Sequence, residues 1–140
     1  MMPFRFSARS LARLEGIHPD LVAVMHLAIE RTPIDFTVLE GLRTRERQRE
    51  LVREGKSWTM NSRHLTGHAV DIAPLVNGKI DWADGSNFYC LADVVRAAAA
   101  ELGVPIEWGG NWKTAKDGPH FQLPWKSYGA TDMAPRAKQA

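Results

Sequence analysis

The chain holds one cysteine in 140 residues, Cys90, so no internal disulfide can form. This suits synthesis in a reducing compartment, and Cys90 itself, between Tyr89 and Leu91, reads as a small buried apolar residue. Long hydrophobic runs are absent too. None approaches the roughly 20 residues that a membrane helix needs, so no stable membrane association is expected. Charge of one sign is also lacking: 18 Lys and Arg stand against 16 Asp and Glu. Without a basic stripe and interleaved aromatics, a nucleic-acid partner is not expected. Repeats and low-complexity linkers are missing. The segment Met1 to Ser10 carries Arg5 and Arg9 but no apolar stretch, so it does not read as a secretory signal peptide. The hydrophobic fraction of 44% and charged fraction of 24% are those of an ordinary globular protein, which excludes a disordered, collagen-like or coiled-coil chain. A chain of this length can bury roughly 70% of its unfolded surface, and residues 1–140 are expected to form one domain and to work as a monomer.

What is present is a clear alternation of elements. Residues 1–18 read as a leading segment. Pro19 and Asp20 open an apolar pattern of Leu21, Val22, Val24, Met25, Ala28 and Ile29, predicting a helix from Pro19 to Arg31 that stops before Pro33. Phe36 to Glu40 reads as a strand broken by Gly41. Thr44 can cap a charged helix running to about Glu54, with Leu51 and Val52 facing inward. Residues 55–67 form a loop, and His68 to Ala73 a strand. Residues 74–85 form a turn-rich insert around Asn77-Gly78. Asn87 to Leu102 is the clearest helix, with Gly103 just past its end. Val104 to Trp108 and His120 to Leu123 are short strands separated by a loop of about eleven residues. The core is expected within 19–125, with 126–140 a loose tail. Three helices interleaved with strands whose last pair can run antiparallel favour an α+β fold, a small mainly antiparallel sheet flanked by helices.

Two stretches carry the chemistry: Ser62-Arg63-His64-Leu65-Thr66-Gly67-His68-Ala69-Val70-Asp71, and Asp117-Gly118-Pro119-His120-Phe121-Gln122. In an extended strand Ala69, Asp71 and Ala73 share one face and His68, Val70 and Ile72 the other. Asp71 therefore stands between two small residues, with space in front of it. His120 and Gln122 share a face, with Phe121 and Leu123 turned to the core. If the two strands are neighbours, His64, Asp71 and His120 make a His₂Asp set with an open fourth position, the form of a catalytic zinc site. Residue types and spacing alone leave this and a solvent-facing polar strand equally open. His68 has the wrong parity to join and reads as structural, His18 as a helix-start residue, and His26 as half-buried on the first long helix.

The run Ser-x-His-x-x-Gly-x-Ala-x-Asp from Ser62 to Asp71 resembles the first zinc motif of the D-alanyl-D-alanine carboxypeptidase and dipeptidase family, which includes the phage L-alanyl-D-glutamate endolysins. Asp117 to Gln122 resembles its second motif. Trp108-Gly109-Gly110-Asn111-Trp112 resembles the endolysin branch, and Gly41-Leu42-Arg43-Thr44 with Gln48 the upstream arginine motif. The resemblance spans about residues 36–125. It implies the D-Ala-D-Ala peptidase or hedgehog-like zinc fold, and one catalytic Zn²⁺ on His64, Asp71 and His120. It implies Asp117 as general base, where many members have Glu, and Arg43 as the arginine that helps to stabilise the tetrahedral intermediate. Ser62 and Gln48 align near the substrate; Trp108 and Trp112 could be core or a wall for the peptide.

Each residue has a plainer reading: Asp117 a turn residue before Gly118-Pro119, Arg43 one of several arginines on a solvated helix. The expected function is hydrolysis of the peptidoglycan stem peptide at the L-alanyl-D-glutamate bond by a phage or prophage endolysin. Such an enzyme would be made in the host cytoplasm and would reach the wall through a holin-type pore. The alternatives are a D,D-carboxypeptidase trimming terminal D-alanine, and a non-catalytic wall-binding module with a structural zinc.

Overall fold

Proline and capping residues set the helices. The computed structural model describes residues 3–113 and 116–138. Helix α1 spans Ala8–Arg13, α2 Pro19–Arg31, α3 Arg45–Arg53 and α4 Gly85–Leu102. Pro19 occupies the first turn of α2, and the amide of Asp20 donates to Nδ1 of His18 at 3.0 Å. The Thr44 hydroxyl accepts from the Arg47 amide at the start of α3. α4 begins earlier than Asn87 because Asp84, not Asn87, supplies the cap, accepting from Ser86 at 2.9 Å. Gly103, at φ 70°, closes it in the left-handed conformation that glycine adopts without strain.

The strands are β1 (Asp35–Glu40), β2 (Ala69–Val76), β3 (Lys79–Ile80), β4 (Glu107–Trp108) and β5 (His120–Gln122). All pairings are antiparallel, in the order β1-β2-β5-β4, with β3 turned back on β2 through Asn77-Gly78. The expected α+β class is the observed one. Phe36, Val38, Val70, Ile72, Trp108 and Phe121 join α2 and α4 in one core. The alanine-rich face of α4, with Ala92, Ala98 and Ala99, packs against α2. The other face of the sheet carries Asp71, His120 and Gln122.

Several expectations are corrected. The leading segment contains α1, too short to show a period, whose Ser10 hydroxyl accepts the Val38 amide at 3.0 Å. In α3 it is Gln48 that is buried, while Val52 is exposed and Leu51 half-buried. His26 is exposed, and Cys90 is half-buried. Residues 126–138 are not loose; residues 139–140 of the expected tail lie outside the described residues. Tyr128 is 1% exposed and donates to Oδ2 of Asp20 at 2.6 Å. The amides of Arg136 and Ala137 both donate to Oδ1 of Asp20 at 2.8 Å. His68, structural as its parity suggested, bridges Thr66 and the Asp132 carbonyl. The tail is fastened because a buried carboxylate at the start of α2 needs these donors.

Burial would raise the Asp20 carboxyl, but the Tyr128 hydroxyl and two amides outweigh it and hold the group below the usual carboxylate range. Burial, then the Asp20 hydrogen bond, pushes the Tyr128 phenol up to about 12. A depressed folded-state value stabilises the protein above the unfolded carboxyl value of about 3.9 and ceases to do so as pH falls through the folded value. Asp20→Ala is expected to cost about 2–4 kcal/mol and Tyr128→Phe about 1–3 kcal/mol by urea denaturation at pH 7. The loss on acidification below about pH 4 should be shallower in both variants than in the parent protein.

Candidate active site

The site is a product of strand register. Asp71 of β2 stands directly opposite His120 of β5. His64 comes from a single 3-10 turn, Arg63–Leu65, whose cap is Ser62: its hydroxyl accepts the His64 amide at 3.2 Å. Gly67, at φ 81°, then turns the chain back into β2; a side chain there would also strike the Gly16 carbonyl at 2.6 Å. As a result Nε2 of His64 lies 3.2 Å and Nδ1 of His120 3.1 Å from the same oxygen, Oδ1 of Asp71. The three expected ligand atoms all lie within 4.8 Å of one another.

Each imidazole sits between two oxygens. His64 has the Gly41 carbonyl 2.8 Å from Nδ1, and His120 has Oε1 of Gln122 2.8 Å from Nε2. A neutral imidazole has one N–H, so it can donate outward or inward but not both ways. With outward donation, two nitrogen lone pairs and a carboxylate oxygen converge on one point. A divalent cation satisfies all three, and the outward bonds fix the tautomers, as is usual for metal-bound histidine. The residues therefore fit a His₂Asp metal centre. In the metal-free protein, burial would raise Asp71, but hydrogen bonds from His120 and His64 hold it well below the usual range. Burial pushes His120 down, and the bond to Asp71 and its charge more than reverse this.

The trio opens on a cavity of about 670 Å³ that Arg43, Ser62, Trp112 and Asp117 also line. Gly109 explains how Asp117 reaches it, and Gly110 makes room for the neighbouring indole. A Cβ on Gly109 would meet the Asp117 carbonyl at 2.4 Å, and one on Gly110 the Trp108 ring at 2.3 Å. Burial, then the charge of Asp71, raises the Asp117 carboxyl against the opposing pull of His120, His64 and Arg43. Arg43 donates from Nε to Glu40 and from Nη1 to Gln48 at 2.7 Å, with Nη2 4.0 Å from Oδ2 of Asp71. The Trp112 ring lies 5.1 Å from that of His120.

A family model described as phage L-alanyl-D-glutamate peptidase matches residues 2–123. The L-alanyl-D-glutamate peptidase of Escherichia phage T5 is 35% identical over 119 residues, 83% of this chain and 87% of that protein. The peptidase of the same name from Listeria phage A118 is 33% identical over 132 residues, 89% of this chain but 44% of that longer protein. The solved structure of the Serratia marcescens L-Ala D-Glu endopeptidase ChiX matches with a TM-score of 0.84 and 51% identity, covering 89% of this chain and 93% of that one. The chain belongs to the phage L-alanyl-D-glutamate peptidase family.

Two residues expected at the substrate of this peptidase-family site lie elsewhere. Trp108 is core: it stacks on Phe121, takes Tyr89 and Arg96 of α4 against its ring, and donates to the Gly118 carbonyl at 2.7 Å. Gln48 is fully buried, and its amide donates to the Ser57 hydroxyl and the Thr59 carbonyl while its oxygen holds Arg43. It positions the arginine and the 57–59 loop rather than touching the cavity. Sequence reasoning missed Glu40 as the partner of Arg43. A register shift between Val38 and Glu40 brings Glu40 opposite Asp71, and no pattern in the strand announces such a bulge. Gln122 as the orienter of His120 was within reach, since the two are expected to share a face.

Titration with zinc followed calorimetrically should give one equivalent in the parent protein. His64→Ala and His120→Ala should each weaken binding by at least about 100-fold, and Gln122→Leu by about 10- to 100-fold.

Proposed function

We propose that the chain is a zinc-dependent endopeptidase that hydrolyses the L-alanyl-D-glutamate bond of the peptidoglycan stem peptide, and that it acts in phage or prophage lysis of the host. The observation that carries this reading is a three-ligand cation site opening on a cavity beside a carboxylate, Asp117, that is not one of the ligands. A structural zinc would be closed by four protein ligands; among the described residues this cluster supplies three. Membership of the peptidase family and the names of the relatives support the bond and the substrate.

Zinc bound by His64, Asp71 and His120 would supply a Lewis acid and bring the pKa of water toward about 7. The chain's own residues account for the rest. Asp117, raised in proton affinity by burial and by Asp71, takes a proton from the attacking water and passes it to the leaving amine. Arg43 is locked by Glu40 and Gln48 with its remaining nitrogen toward the site. Its fixed charge stabilises the negative charge that develops on the attacked oxygen. Trp112 walls the cavity beside His120, and Ser62, whose hydroxyl caps His64, lines it as well. The cell-wall substrate lies outside the cytoplasm, and among the described residues no helix is long and apolar enough to cross a membrane. Delivery through a holin-type pore completes the proposal.

Defined muropeptides incubated with the protein, with chelator and with zinc restored, should give products separated between L-alanine and D-glutamate by mass spectrometry, and only when zinc is present. Release of D-alanine alone would make the enzyme a carboxypeptidase, and no cleavage by zinc-loaded protein would overturn the proposal. Asp117→Asn should lower kcat by about 10²- to 10⁴-fold with one zinc still bound. Gln48→Leu, which frees Arg43, should lower kcat more than it changes KM.

A further inference from the structure

Four cationic side chains line the cavity: Arg43, Lys56, Arg63 and Lys113. Three are already engaged. Arg43 is held by Glu40, Gln48 and Asp71. Arg63 is 2% exposed, donates to the carbonyls of Leu123, Pro124 and Tyr128, and lies under the Trp125 ring. Lys56 stands at the rim, 3.6 Å from Glu54. Lys113 is exposed, and no ion pair to it is found among the described residues. Arg63 has no ion pair either, and its Nη1 is buried without a partner, but it is shut beneath the Trp125 ring; Lys113 is the exposed cation of the cavity without a carboxylate partner among the described residues.

We propose that Lys113 forms a carboxylate subsite that receives the free α-carboxylate of the D-glutamate on the amine side of the cleaved bond. The inference rests on the L-alanyl-D-glutamate reading given above. Its geometry comes from the loop. Lys113 follows Trp112, which packs beside His120, and belongs to the same connection as Asp117. Asp117 hands its proton to the leaving amine, so this connection borders the amine side of the bond. In the stem peptide D-glutamate is joined onward through its side-chain carboxyl, which leaves the α-carboxylate free, one carbon from that amine. A carboxylate brought there meets Asp117 and Asp71, and like charges at close range in a partly desolvated cleft repel. A lysine ammonium on a flexible stem offsets this and adds charge-assisted hydrogen bonds. An ordinary peptide, with an amide in place of the carboxylate, gains nothing from Lys113. The residue thus sets specificity and takes no part in the chemistry.

Two synthetic stems that differ only at this group, one with D-glutamate and one with D-isoglutamine, test the subsite on the zinc-loaded full chain. The parent should cut the carboxylate stem faster. Lys113→Met should lower kcat/KM on that stem by about 10- to 100-fold, mainly through KM, and should bring the ratio between the two stems close to one. Lys113→Arg should keep the preference. Equal loss on both stems, an unchanged ratio, or loss of the preference in Lys56→Met instead would overturn the subsite while leaving the endopeptidase reading intact. If the parent cuts neither stem, the underlying reading falls, and the subsite with it.

Discussion

The cross-strand pair of Asp71 and His120 is the constraint on which the rest depends. Side chains alternate along a strand, so a slip of one residue between β2 and β5 would send Asp71 or His120 into the core and bring Val70 or Phe121 to the cavity. The core side resists that slip, because Val70, Ile72 and Phe121 are essentially without exposure there. Arg63 adds a second restraint. It sits beside His64, and its donors hold the carbonyls of Leu123, Pro124 and Tyr128 just beyond β5. The turn that delivers one candidate ligand is thereby tied to the strand that delivers another. Through Tyr128 the same segment reaches Asp20 at the start of α2, so the tail belongs to the support of the site.

Two carboxylates share the cavity, and their surroundings drive them apart. Both are pushed up by burial. Asp71 has two imidazoles on one oxygen and is held low; Asp117 feels the charge of Asp71 and stays raised. One keeps its charge for a cation, and the other binds a proton more readily. Opposite displacement of neighbouring groups suits one of them to hold a cation and the other to move a proton, as the proposed function requires. Arg43 touches both fields, which is why its fixing by Glu40 and Gln48 matters: a free guanidinium could collapse onto either carboxylate.

Much of this was legible in the sequence, because it rests on local rules. Pro19 and Thr44 marked helix starts, Gly103 a helix end and Asn77-Gly78 a hairpin, and the structure has each of them. Strand parity put Asp71 and His120 on usable faces and kept His68 out. What escaped depends on partners distant in the chain. The Asp20–Tyr128 bond joins residues 108 apart, and composition alone made the tail read as loose. The sequence leaves Trp108 open between core and a wall for the peptide, and the structure has it in the core. The two glycines after it serve packing: Gly110 leaves room for the indole and Gly109 for the Asp117 backbone.

Gln48 shows the same limit from the polar side. It stands on a helix of arginines and glutamates and the resemblance sets it near the substrate, yet it is the only buried residue of α3. Burial of an amide is tolerated only where its donors and acceptor are all used. Here the oxygen takes Arg43 and the nitrogen takes Ser57 and Thr59. A glutamate at the same place could accept from Arg43 but could not donate to the Thr59 carbonyl. A leucine would fill the volume and leave the arginine and the loop without partners. The amide is the side chain that serves both at once, and it ties the charge behind the His64, Asp71 and His120 cluster to the loop on the cavity wall.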